Sequence, residues 1–86
     1  MSTSPSSPTL TRPRAVRAWL DDARLSVAVD DGREVSVPLA WFDWLASATE
    51  AQRRGFRIIG GGSGLWWEEL DDGISVPWLF GMPEDL

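Results

Sequence analysis

The sequence predicts an α+β fold of two layers: an antiparallel three-strand meander, a helix, a two-strand hairpin and a short C-terminal helix. Three observations predict it. Up to Val37, apolar residues alternate with a period of two, the pattern of half-buried strands. From Pro38 the spacing turns helical, with Leu39, Phe42, Leu45 and Ala46 recurring on one side. Past Gly55, short apolar runs return, punctuated by Gly and Asp clusters. Strand runs with helices segregated from them favour α+β layers over alternating βαβ units.

Each element follows from local chemistry. Arg14 to Leu20 is the first strand, with residues 16 and 18 set against Arg17 and Trp19. Asp21-Asp22 turns the chain. Arg24 to Val29 alternates with Leu25, Val27 and Val29 on one face. Asp30-Asp31-Gly32 is the second turn, because Asp and Gly tolerate positive φ. Glu34 to Val37 completes the meander. Pro38 suits the first turn of a helix over 38–46, where a missing N–H costs nothing. Thr49 and Gln52 match a capping box for a helical piece over Glu50 to Arg54, and Gly55 is expected to end it in the left-handed conformation. Phe56 to Ile59 and Leu65 to Glu68 are the hairpin strands. After an Asp71-Asp72-Gly73 turn, Ser75 caps a helical turn over Val76 to Phe80, closed by Gly81.

A chain of 86 residues makes one domain. The expected division is a disordered Ser/Pro-rich leader over 1–11, one domain over 12–82 and a frayed acidic tail over 83–86. The leader lacks the basic start and apolar stretch of a secretory signal, so the expected location is cytoplasmic. Composition removes much chemistry. There is no His, Cys, Tyr or Lys, which rules out His-based triads, thiolate metal sites, Schiff bases and a phosphate-loop lysine. No catalytic residue, metal ligand or cofactor is expected. In place of staples the chain has six tryptophans and three phenylalanines; each large ring buries roughly 200 Å². The net charge of −5 is uneven. Arg12, Arg14, Arg17 and Arg24 gather near the start, whereas residues 66–86 hold six carboxylates and no cation.

The glycine loop of Gly60, Gly61, Gly62 and Gly64 lacks the spacing of a dinucleotide fingerprint and is followed by a strand instead of a helix. It is expected to be a flexible or left-handed connection, with a backbone nest for an anion or partner group as the alternative. Glu68, Glu69, Asp71 and Asp72 fail the spacing of a calcium loop; turn chemistry and ion pairing with Arg53, Arg54 or Arg57 are expected instead. Arg53, at a helix C-terminus, is expected to form a structural ion pair with Asp71. Trp19, Trp44 and Trp66 are the candidate interface residues, because each falls off the apolar side of its element. Exposed tryptophans on a soluble domain mark contact surfaces.

As a set, Val35-Ser36-Val37-Pro38-Leu39-Ala40-Trp41-Phe42, Leu45-Ala46, Ala48-Thr49, Gln52-Arg53, Ile59 to Leu65, Trp67, Glu69-Leu70-Asp71 and Ile74-Ser75-Val76 with Leu79 and Gly81 resemble the small bacterial family called domain of unknown function 2442, over roughly residues 14 to 81. The resemblance implies three strands, helix, two strands and helix. It implies no enzyme activity. It also implies a partner: members look like companions of another very small protein encoded beside them, in a toxin–antitoxin-like arrangement. The chain departs from the family pattern at Gly73, where an acidic residue is usual, and at Trp44, where a polar or basic one is.

The expected function is therefore a non-catalytic protein-interaction or regulatory module whose partner is another small protein, with self-association of the same patch as a variant. The alternative is a nucleic-acid or transcription accessory using the arginines of the first strands, which would bind in a salt-dependent way. A third class is an enzyme or metal domain centred on Arg53, Glu68, Glu69 and Asp71. A calorimetric titration with Mg²⁺ and Ca²⁺ separates its metal version from the rest.

Overall fold

The computed structural model describes residues 12–81; the expected leader over 1–11 and tail over 83–86 lie outside the described residues. The α+β class holds, with two antiparallel sheets of three strands each. The first is the predicted meander: β1 (Ala15–Leu20), β2 (Arg24–Val29) and β3 (Glu34–Pro38). Its turns use aspartate as expected. The Asp21 carboxylate accepts from the amides of Ala23 and Arg24, both at 2.8 Å. Asp31 accepts from the Arg33 amide at 3.0 Å. These backbone bonds, first that from Ala23 and that from Arg33, hold both carboxyls below their ordinary pKa.

Strand β1 departs from simple alternation. Its register with β2 shifts between Ala15 and Arg17, a bulge that inserts one extra residue. Val16 is that residue and stands 61% exposed, while Ala15 and Ala18 face the core. The expected inward Val16 is thus corrected by the bulge.

The single helix expected over 38–46 is two pieces. A 3₁₀ turn, Leu39–Trp41, precedes α1 (Asp43–Ala46), and Phe42 between them has an extended backbone, φ −127° and ψ 93°. Leu39 and Leu45 are still buried, so the spacing reported the inward side and missed the break. α2 (Glu50–Arg54) carries the predicted capping box: Thr49 Oγ1 accepts from the Gln52 amide at 3.1 Å, and Gln52 Oε1 accepts from the Thr49 amide at 2.9 Å. Gly55 does not adopt the expected left-handed form; its φ is −85°.

The second sheet orders β4 (Phe56–Ile59), β5 (Gly64–Trp67) and β6 (Asp72–Ser75). β6 corrects the two-strand hairpin and the Asp71-Asp72-Gly73 turn. Leu70 and Asp71 make the turn, with Asp71 at φ 53°, and the chain is extended from Asp72. A glycine inside a strand costs stability unless something needs the space. Here Trp66, directly opposite Gly73, lies on it: a Cβ at Gly73 would sit 2.7 Å from the Trp66 ring. α3 (Val76–Leu79) follows, capped by Ser75, whose Oγ accepts from the Trp78 amide at 3.4 Å.

One core joins the sheets. Leu25, Val27, Val29 and Val37 of the first meet Leu65, Trp67 and Ile74 of the second, with Leu39, Leu45 and Val76 from the helical segments. The glycine turn makes the approach close. Gly62, at φ 106°, places its Cα so near β1 that a Cβ would lie 2.8 Å from the Ala15 amide and carbonyl.

Candidate interaction surface

Trp67 is completely buried, and its ring begins a series of contacts that ends at the surface. Trp44 meets it edge to face at 5.4 Å between centroids, and Phe56 at 5.8 Å. Phe42 lies 6.2 Å from Trp44 and 6.0 Å from Trp78. Trp41 stands edge to face with Trp78 at 6.5 Å. The last two rings are the exposed end: Trp41 is 60% and Trp78 42% accessible. A buried indole, a packed middle and two open rings form one rigid aromatic spine, because each ring is held by the next.

The three sequence-predicted tryptophans are not brought together. Trp44 is half-buried inside the spine, and Trp66 is half-buried over Gly73. Trp19 is 36% exposed on the outer face of the first sheet, with the Arg17 guanidinium 4.4 Å from its ring centroid. Trp41 and Trp78 were missed. The signal for Trp41 was available, since it lies off the Leu39, Phe42 and Leu45 side of its segment. Trp78 gave none, because Trp41 and Phe42 approach it from far away in sequence.

Arg53 makes no ion pair with Asp71. It donates Nε to the Leu45 carbonyl at 3.1 Å, which also accepts from the Ala48 amide, and Nη2 to the Ala46 carbonyl at 2.8 Å, an acceptor at the helix end where intrahelical donors run out. Its own carbonyl accepts from Trp67 Nε1 at 2.8 Å. In place of the expected ion pair, Arg53 joins α1 through its side chain and β5 through its backbone carbonyl. Arg57 does pair with the acidic cluster, at Glu68 and 2.6 Å.

A shallow groove of about 240 Å³ runs between the β1–β2 turn and α2, lined by Leu20, Asp21, Asp22, Glu50, Arg53 and Arg54. Its charges are largely engaged within the chain: Asp21 with turn amides, Arg53 with carbonyls, and Arg54 with Glu50 at 2.6 Å. Among the described residues, no three acidic side chains are grouped to hold a metal ion. The glycine turn is left-handed, with Gly60, Gly61 and Gly62 all at positive φ. Gly64 lies within β5. Arg14 Nη1 donates to the Gly61 carbonyl at 3.4 Å.

These features define a small α+β domain whose two three-stranded sheets share a tryptophan-centred core. The chain belongs to the family described as protein of unknown function (DUF2442), which it matches over residues 15–81. It is similar to a solved protein of unknown function from Rhodospirillum rubrum ATCC 11170, with 35% identity and a TM-score of 0.74 over 84% of this chain and 90% of that one. No curated protein matches it.

Proposed function

We propose that the chain is a non-catalytic protein-interaction module and that the open end of the aromatic spine, Trp41 and Trp78, is its contact face. The carrying observation is their exposure side by side on a rigid support. Large rings that need no ordering on binding make efficient contact residues. The chemistry of the chain favours a binding role over catalysis, since its reactive side chains are confined to carboxylates, arginines and hydroxyls. The resemblance noted above makes a second small protein, encoded beside this one, the first partner to test. Against the nucleic-acid alternative stands the engagement of its arginines. Arg14 bonds Gly61, Arg24 bonds the Ser36 carbonyl at 3.1 Å, and Arg17 covers Trp19.

The test is reconstitution with the purified neighbouring gene product, using the full chain and its Trp41→Ser/Trp78→Ser variant. Binding by the parent and its loss of at least tenfold in the variant are expected, since central aromatic contacts cost about 2 kcal/mol or more each. Equal binding by both proteins would reject the contact face. Absence of binding by the parent would reject this partner.

A further inference from the structure

At two places in this chain a guanidinium lies over an aromatic ring. Arg17 stands 4.4 Å from the ring centroid of Trp19, and Arg33 stands 4.8 Å from that of Phe80. The negative face of the ring attracts the cation, and the planar guanidinium stacks on it closely. Among the described residues, no guanidinium lies over Trp41 or Trp78, although both are more exposed than Trp19. Their geometry is a corner, with ring planes at 80° and centroids 6.5 Å apart. A guanidinium laid flat on one ring points an N–H edge at the face of the other, and both contacts are attractive. Its donors form a fixed fork, so those on the far edge stay open to a carboxylate. The corner is also held in shape before anything binds, because Phe42 packs 6.0 Å from Trp78 and 6.2 Å from Trp44.

Charge is complementary. Residues 39–81 carry six carboxylates against three arginines. All three arginines are engaged within the chain: Arg53 with the carbonyls of α1, Arg54 with Glu50 and Arg57 with Glu68. Asp43 opens α1 two residues after Trp41 and is exposed. Among the described residues it pairs with no cation. The aromatic corner therefore has perpendicular ring faces, a carboxylate close by in the chain and a surplus of negative charge in its half of the sequence. A purely aliphatic side chain would use none of these features.

We propose that Trp41, Trp78 and Asp43 seat an arginine side chain presented by the partner. This rests on the contact-face reading above and names what the partner brings to it. The test titrates the ¹⁵N-labelled full chain with N-acetylarginine amide at constant ionic strength and follows the indole N–H signals, assigned with Trp41→Phe and Trp78→Phe. The Trp41 and Trp78 signals are expected to move and saturate. The Trp19 signal, whose ring Arg17 already covers, should stay, as should that of Trp67, fixed by its bond to Arg53. N-acetylcitrulline amide, neutral and nearly the same shape, should move neither Trp41 nor Trp78. Asp43→Asn should weaken the arginine response about threefold, with an unmoved Trp67 signal reporting an intact fold. Unmoved Trp41 and Trp78 signals would overturn the proposal. So would an equal response to citrulline, or shifts at Trp19 as large as those at the corner. An undiminished response in Asp43→Asn would remove the carboxylate from the seat. The titration needs no partner, so its failure rejects the arginine seat alone. Partner binding that survives Trp41→Ser/Trp78→Ser rejects the contact face.

Discussion

A fully buried indole must place its N–H on an acceptor, and Trp67 places it on the Arg53 carbonyl. Trp67→Phe keeps a ring but leaves that carbonyl without its donor. The expected cost is about 1–3 kcal/mol, measured as a lower urea midpoint at unchanged slope. Arg53 supports the same junction with its side chain. Arg53→Met retains the aliphatic stem and loses both bonds to the end of α1, so a loss of about 1–3 kcal/mol is again expected. Asp71→Asn should stay within about 0.5 kcal/mol of the parent, because among the described residues Asp71 pairs with no cation and Asn tolerates its positive φ equally well. Equal losses in Arg53→Met and Asp71→Asn would restore the ion pair that the carbonyl bonds replace.

At the scale of elements, the features legible in the sequence are those made by neighbours in sequence. Thr49 and Gln52 bond each other's backbone three residues apart, and Asp21 bonds amides two and three residues on. Neither needs the rest of the fold. β6 was not legible, because Ile74 is its one large apolar residue and Gly73 interrupts it; its pairing is supplied by β5 and by the Trp66 ring on Gly73. The same distinction explains the tryptophans. Facing parity assigns a side of one strand or helix, but Trp44 and Trp66 are covered by residues from other elements, and parity carries no record of them. The β1–β2 turn yields a pH prediction. Its bonds hold the Asp21 pKa below the ordinary 3.8. The unfolded chain therefore binds the proton first as pH falls, and the turn's contribution, full above about 4, is lost as pH drops toward and through the lowered value. In Asp21→Asn the side chain has no proton to gain, so the acid limb of a stability–pH curve should be shallower than in the parent. At the sheet–sheet approach, Gly62→Ala sets a Cβ against the Ala15 backbone at a positive φ. A cost of about 1–3 kcal/mol from the backbone conformation alone is expected, read from thermal unfolding.

Considered as a whole, the molecule has no disulfide, and a domain this small buries only about 60–65% of its unfolded surface. Neither sheet has a core of its own. The inward residues of β2 and β5 pack into a single cluster with Leu39, Leu45 and Val76 between the strands, and an isolated three-stranded sheet is stable only when its apolar face is covered. Loss of either sheet would strip the other, so the two should unfold as one unit. Val27 tests this, since it is wholly buried and sits in the first sheet alone. Val27→Ala deletes two methyl groups and should cost about 2 kcal/mol. If the core is shared, native-state hydrogen exchange will show the amides of Leu65 and Trp67 in the second sheet losing as much protection as those of Leu25 and Val29 beside the substitution. Protection lost in the first sheet alone would mean two separable units, and the aromatic spine would then be anchored in the second sheet without help from the first.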